Sequence, residues 1–455
     1  MPMDASSSSS WVVDMEEIAM AGDEASRPAE TEGARWAAQS IYRVPEWIRG
    51  LSSSHAAAYR PQVVSLGPLH HGDPRLAPME EHKRRALRHL QLRRPLEGFV
   101  AAVEEVAEQL RAAYGPDLGD EWRRGDDGDE KKKKEERFVE VMVTDGCFLL
   151  ELMMMGNHRG DYLANDPVFG VHGRVYVWPF IQSDMLVLEN QLPLLLLQRL
   201  LAVLLDIPPT VELDRIINHL VLRFLGRNLQ DDVVDYVPLG HHPLDIYHTS
   251  LVYAKGAYEV RKSQPEHSMC EIMPTVMEMH EAGIKFKRSK TDNLFDIHFK
   301  RGVLSMPEVI VDDSTECVYL NLMLFERLHV GTGTLVTSYV IFMDNMIDSA
   351  KDVSLLGSKG VLRNLLGSDE AAAKLFTGTL SRGAVLGPSR ELHNLQRNVK
   401  AHCRRQLNRW RANFVHTHCS NPWVIASLIA AFLLLAAGLM QTVYTILPFY
   451  GKGMH

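Results

Sequence analysis

The sequence predicts a mainly α-helical body with a small antiparallel β element and one C-terminal transmembrane helix. Three observations carry this expectation. Apolar residues recur at helical spacing through most of the 455 residues. The period switches to strand alternation in one region, where Ile284 and Phe286, then Phe295, Ile297 and Phe299, fall at every second position. A stretch without a charged residue, WVIASLIAAFLLLAAGLMQTVYTIL, runs from Trp423 to Leu447.

The bulk numbers suit a globular chain. Hydrophobic residues make up 46% and charged residues 23%, enough to build a real core. The net charge of −8 repels nucleic acid unless a local basic patch overrides it. The five cysteines, Cys147, Cys270, Cys317, Cys403 and Cys419, are far apart and form no CxxC pair. That usage fits a reducing compartment, with Cys147 and Cys317 expected as small buried hydrophobes. The first segment, MPMDASSSSSWVVDMEEIAMAGDEASRPAETEG, lacks a basic start and a long apolar run. It reads as a disordered arm over 1–39, not as a signal peptide.

The elements follow in order over an expected body at 40–420. Residues 41–76 are rich in Pro, Gly, Ser and His and read as loops with short elements. PMEEHKRRALRHLQL starts a helix near Pro78, with acids in the first turn and bases later. LEGFVAAVEEVAEQLRAAY is helical too. The charged stretch 115–137, with four consecutive lysines, reads as a solvated loop. RFVEVMVTDGCFLLELMMMG reads as a buried helix, and so does the leucine run Leu192 to Leu205, which Gln198 and Arg199 interrupt and which is too short to be a second span. VELDRIINHLVLRFL is an amphipathic helix. A methionine-rich helix stops at Gly283. The strand region has Arg301-Gly302 as its hairpin turn. STECVYLNLMLFERL returns to helix with Ser314 or Thr315 as cap, and further helices lead to the apolar stretch.

That stretch has 25 residues, more than the hydrocarbon core requires. Trp423, Leu433, Leu434, Leu435, Tyr444 and Leu447 are expected to anchor it in a lipid bilayer. Lys400, Arg404, Arg405, Arg409 and Arg411 precede it and only Lys452 follows, which places the body in the cytosol and the tail at 448–455 across the membrane. A tail-anchored, single-pass protein of the plasma membrane or an endomembrane is the expected layout.

Chemistry is harder to find. The chain has no GxxxxGK[ST], no HExxH, no GxSxG and no GxGxxG after a strand. GTGTLVTS, Gly331 to Ser338, lacks a lysine and reads as a connection between helices. SLGPLHHGDPRLAPMEEHKRRAL gathers His70, His71, Asp73, Glu80, Glu81 and His82, which are metal-ligand and proton-transfer types. Helical geometry separates them. His82 falls on the face of Met79 and Ala86, and Glu81 is spaced to pair with Arg85. Glu189, Asn190 and Gln191 lie inside DMLVLENQLPLLLL, so they are expected at least half buried. They suit either a general acid or base with a raised pKa or a polar network that satisfies a helix break at Pro193, and the network is preferred. Asp145 is read as a cap or turn residue. No catalytic, cofactor-binding or metal-ligating residue is assigned.

Taken together, an ordered series of stretches resembles one family, the plant proteins grouped as domain of unknown function 247. The series is IYRVPEWIR, YRPQVVSLGPLHHG, MEEHKRRAL, DGCFLLELM, LENQLPLLLLQRL, AGIKFKRS, DIHFKRGVLSMPEV, TSYVIFMDNMIDSAKDVSLL, LGSDEAAAKLF and the terminal apolar stretch. It covers roughly Ile41 to Leu447. The charged insert near 119–136 departs from the family pattern. The resemblance implies a plant membrane protein with a helical body and no established activity or cofactor. Some grass relatives are associated with pollen self-incompatibility. The expected function is non-enzymatic recognition or signalling through a protein partner, with no nucleic acid and no evident small-molecule substrate. The alternative is a membrane-tethered enzyme or metal-binding protein using Glu189 or the His70/His71 region.

Overall fold

The computed structural model describes residues 38–51, 53–123, 128–155, 162–227, 237–252, 273–384, 390–404 and 422–451. The arm expected at 1–39 lies almost entirely outside them. The chain divides into two compact units, Met1–Ser263 with Ser314–Thr337, and Gln264–Asp313 with Ser338–His455.

The first unit is helical. Two short helices, α1 (Glu46–Arg49) and α2 (Ser53–Ala58), precede an irregular stretch. Then come α3 (Ala77–Gln91), α4 (Leu96–Tyr114) and α5 (Gly128–Met154). The short helices α6 (Val171–Tyr176) and α7 (Trp178–Asp184) lead through a second irregular stretch to α8 (Leu194–Leu205), α9 (Val211–Phe224) and α10 (Pro243–Val252). A later segment, α12 (Thr315–Leu328), completes the unit.

Helix α5 is the central element: α3, α4 and α8 all pack on it, and α8 also packs on α4 and α9. Its second half is mostly apolar and buried, with Phe138, Met142, Phe148, Leu149 and Leu150 fully buried, as suits a core helix. Gly146 lets α8 approach closely, since a Cβ there would run into the side chains of Leu200 and Leu196. Helix α8 starts directly after Pro193 and ends at Asp206, which takes the left-handed conformation at φ 59°. The leucine run is therefore the buried helix that its length implied.

Two local expectations need correcting here. The charged stretch 115–137 is not one loop, because α5 begins at Gly128 and takes in all four lysines. Lys134–Glu130 at 4.0 Å and Lys132–Glu136 at 3.8 Å are i,i+4 pairs that suit an exposed helix. Asp145 is neither cap nor turn; it lies inside α5 and is 1% exposed.

The second unit is mixed. It begins with α11 (Val276–Glu281), whose N-terminus carries a reciprocal capping box between Thr275 and Glu278. A three-stranded sheet follows in the order β1 (Lys285–Arg288), β3 (Val303–Met306), β2 (His298–Lys300). Strands β2 and β3 form the hairpin expected at Arg301-Gly302, with φ of 52° and 77° as a tight turn of the primed type needs. The expected purely antiparallel element is corrected, because β1 pairs with β3 in parallel. A second sheet of two parallel strands joins β4 (Val309–Val311) to β5 (Leu362–Asn364). Parallel partners need a long crossover, and short-range alternation cannot reveal one. Helices α13 (Leu335–Met346, which begins in the first unit), α14 (Ala350–Ser358), α15 (Asp369–Lys374, continued by a π-helical turn over Leu375–Leu380) and α16 (Arg390–Cys403) follow. Helix α14 packs on α11, α15 and β5, and α16 packs on β2 and α11.

No helix among the described residues is long and apolar enough to cross a membrane. This overturns the expected C-terminal transmembrane helix, and with it the tail-anchored, single-pass localisation. The chain does form a helix there, α17 (Pro422–Gly451). Its described side chains are those of residue 427 and residues 429–444. Leu433, Leu434, Leu435 and Tyr444 are exposed, while the side chains of Trp423 and Leu447 lie outside the description. Of the basic flank, Lys400 sits in α16 and Arg404 just after it; Arg405, Arg409 and Arg411 lie outside the described residues.

Candidate functional site

The polar residues singled out in the sequence converge on one problem, which is buried backbone without regular structure. Residues 61–72 form neither helix nor strand, yet Val64, Ser65 and Leu66 are at most 1% exposed. Buried N–H and C=O groups must find partners. Side chains from α5, α7 and the loop before α8 provide them.

Asp184, at the end of α7, accepts N–H bonds from Gln62, Val63 and Val64 at 2.7, 2.7 and 2.9 Å. Burial pushes its carboxyl up to about 6, and the three donors hold it from rising further. Asn190 accepts from Leu66 N–H at 2.8 Å and donates to Val64 O and Asp184 O, both at 3.0 Å. Gln191 donates to Met185 O and Val187 O, both at 2.7 Å, and accepts from Leu244 N–H at 3.0 Å. Tyr114 Oη closes the set by donating to Gln191 O at 2.8 Å. Gly67 adopts φ 75°, and a Cβ there would lie 2.5 Å from Tyr114 Oη.

Glu189 belongs to the same clamp. Its Oε1 accepts from Val44 N–H and from Arg49 Nη2, each at 2.5 Å. His70 Nε2 lies 3.2 Å from Oε2, close enough for charge attraction but poorly aligned for a hydrogen bond. Burial pushes this carboxyl up, but His70, Arg49 and the Val44 N–H outweigh it and hold the group below its ordinary value. A general acid needs the opposite shift.

Lys83 is the buried centre of a second set. Its ammonium reaches Asp145 Oδ1 at 2.7 Å, Glu80 Oε1 at 2.7 Å and Ser65 Oγ at 3.0 Å, while Asp145 Oδ2 accepts Gly67 N–H at 2.8 Å. A serine beside a lysine can be a nucleophile and its base. Here the three ammonium protons are all committed, and Ser65 Oγ itself donates to Glu80 at 3.2 Å. Lys83 is 0% exposed and Ser65 is 1% exposed, so neither faces solvent.

The six residues of the histidine-rich stretch thus separate. His70 faces Glu189, His71 packs edge-on to Trp122 at 5.5 Å, Asp73 pairs with Arg75, and Glu80 goes to Lys83. His82 meets Arg85, and Glu81 is exposed. No group of three metal-ligating side chains occurs among the described residues. Two finer expectations change. His82 is only half-buried, and Lys83 takes the core position between Met79, Ala86 and Leu90. Arg85 pairs with Asp166 instead of Glu81.

A third set joins α10 and α12. Glu326 caps the start of α13: Oε1 accepts Val336 N–H at 2.7 Å, and Oε2 accepts Thr337 N–H at 2.9 Å and its hydroxyl at 2.7 Å. His248 Nε2 stands 2.8 Å from Oε1, and both side chains are at most 1% exposed. Nearby, His242 Nε2 donates to Ser40 O at 3.0 Å while its Nδ1 accepts Asp245 N–H at 3.2 Å. Accepting at Nδ1 requires the neutral ring, with its single proton on Nε2. Burial pushes His242 down to about 3, and burial also lowers His329 beside it.

This geometry fixes a pH dependence. The unfolded chain takes up a proton near 6.5 that folded His242 refuses, so its contribution is complete above 6.5 and lost as pH falls toward about 3. Each pH unit in that window costs about 1.4 kcal/mol. Urea midpoints are therefore expected to fall between about pH 6.5 and about pH 5 by the equivalent of about 2 kcal/mol, and H242N to flatten that fall. An unchanged slope in H242N would rule the site out as its source.

The sequence signals for these sets were unequal. Polar residues within apolar runs marked Glu189, Asn190 and Gln191. Lys83 carried a signal too, four residues after Met79 and three before Ala86, on the helix's buried face. Asp184 and Glu326 had none, since their partners are 120 and 10 residues away.

The clamp ties together the stretches of the ordered series, IYRVPEWIR, VVSLGPLHHG and LENQLP, and the series defines a plant family of unknown function. The family DUF247, described as "Plant protein of unknown function", matches residues 41–437, and the chain belongs to it. Two curated relatives are from Arabidopsis thaliana. The UPF0481 protein At3g47200 is 28% identical, over 90% of this chain and 86% of its own length. The putative UPF0481 protein At3g02645 is 23% identical, over 87% and 88%. No solved structure matches.

Proposed function

We propose that this plant protein is a non-enzymatic recognition or signalling protein that acts through contacts with a protein partner. One observation carries the reading: the groups best suited to chemistry, Glu189, Asp145, Lys83 and Ser65, are at most 4% exposed and bonded to their own unit. Their arrangement supports two irregular segments and turns none of these four groups toward solvent.

The test separates folding from chemistry. E189Q keeps an acceptor for Val44 N–H but removes the charge that faces Arg49 and His70. It is expected to cost about 1–3 kcal/mol, read as a lowered thermal midpoint. Function in plant tissue, scored as rescue of a null line, should then decline only in proportion to protein abundance. If E189Q keeps its abundance and midpoint yet abolishes rescue, the residue acts in chemistry and the enzyme reading replaces this one.

A further inference from the structure

The second unit carries a charged surface that none of the buried sets uses. Register places its side chains. Lys285 is opposite Val303, which is opposite Lys300; Lys287 is opposite Ser305, which is opposite His298. These six residues share one face of the sheet, because partners in register point the same way and alternate along a strand. Lys285, Lys287, His298 and Lys300 are exposed, while Phe286 and Leu304 of the opposite face are buried. That opposite face is covered in part by α16, where His402 meets the Phe299 ring at 5.4 Å.

Among the described residues, Lys285, Lys287 and Lys300 have no ion pair. Two nearby carboxylates have other partners: Glu308 takes Arg288 at 2.6 Å and Arg363 at 2.7 Å, and Asp296 takes His298 of this same face at 3.0 Å, so the three lysines are the cations this face leaves to a ligand. Lys290 and Arg301 extend the exposed positive rim. A chain of net charge −8 thus concentrates cations on one small face.

We propose that this face docks an extended acidic segment of a protein partner, an assignment that deepens and rests on the recognition reading above. Spacing and charge argue for it. Lys285 and Lys287 repeat along β1 at roughly 6.6 Å, the interval of alternate side chains in an extended peptide, and β1 to β2 spans roughly 10 Å. Alternating carboxylates on one segment therefore meet successive lysines. Single-stranded nucleic acid fits less well, since the aromatic rings Phe286 and Phe299 belong to the other face and leave nothing for bases to stack on. Lysines on the edge strands β1 and β2 also discourage sheet-to-sheet aggregation. Glutamate does that equally well, so charge reversal separates the two roles.

The experiment uses the full chain and a labelled peptide of alternating Glu and Thr, with a Gln-Thr peptide as control, read by fluorescence anisotropy. The Glu peptide is expected to bind at least about tenfold more tightly than the Gln peptide, with affinity falling as salt rises. K285E/K287E/K300E is expected to lose at least about tenfold of that affinity without a change in thermal midpoint. Equal binding by the reversed variant overturns the proposal. A charge-matched oligothymidine that binds more tightly than the peptide, and is lost in the same variant, overturns it in favour of nucleic acid. The recognition reading is scored separately: rescue of the null line by the reversed variant removes this face and leaves that reading standing.

Discussion

Replacing Lys83 with methionine is expected to cost about 3–5 kcal/mol, a large part of the stability of an ordinary domain. Methionine matches the length of the lysine stem and keeps its packing between Met79, Ala86 and Leu90, so the loss isolates the charge. What remains is Asp145, 1% exposed, facing Gly67 N–H with no cation. Burial already pushes the Asp145 carboxyl upward, and Lys83 at 2.7 Å is the main force against it. The variant should therefore bind a proton at Asp145 or unfold. K83M/D145N should recover much of the loss, because asparagine keeps an acceptor for Gly67 and removes the stranded charge. Equilibrium urea unfolding of the three proteins checks this. A K83M loss below about 1 kcal/mol would show that the pair is not a buried structural element.

Asn190 predicts a loss of similar size by another route. N190A strands Leu66 N–H, Val64 O and Asp184 O, which Asn190 serves at 2.8, 3.0 and 3.0 Å in a position that is 0% exposed. Each buried group without a partner costs about 1–3 kcal/mol, so at least about 3 kcal/mol is expected in sum. N190D is the sharper variant. It keeps the acceptor for Leu66 but loses both donors and sets a second carboxylate beside Asp184. If the network is structural, N190D should be no better than N190A despite its near-identical shape. Recovery of wild-type stability in N190D would show that shape alone matters at this position.

Much of the local structure was legible in the sequence. The helix after Pro193, the helix starting near Pro78 and, in the second unit, the turn at Arg301-Gly302 follow from local chemistry: a proline that cannot continue a helix, acids near an N-terminus, and a glycine free to take positive φ between two alternating segments. The helical course of Gly128 to Arg137 was missed because charge density was weighed above the i,i+4 pairing of Glu and Lys. The parallel pairings β1–β3 and β4–β5 were illegible, because they join residues separated in sequence by the chain that must cross between them. The transmembrane expectation came from the length and unbroken apolarity of one stretch, its interfacial aromatics and its basic flank, and it is overturned because no helix among the described residues is long and apolar enough to cross a membrane.

The candidate site divides in the same way. LENQ announced itself as polar residues in an apolar setting, and it is the loop that clamps residues 61–72. Its partners could not be named in advance, since Asp184 and Lys83 meet it or its target only through the fold. The cluster of histidines and acids was a matter of composition; once folded, its members face different neighbours.

Hydrogen exchange tests the central claim most directly, because it reads the backbone that these side chains are said to serve. Gln62, Val63, Val64, Leu66 and Gly67 lie outside helix and strand, yet their amides donate to Asp184, Asn190 and Asp145. If the clamp is architecture, these amides exchange only through global opening of the first unit, with the same protection as the core of α5. Exchange orders of magnitude faster than that core, as in a mobile loop over an active site, would contradict the account.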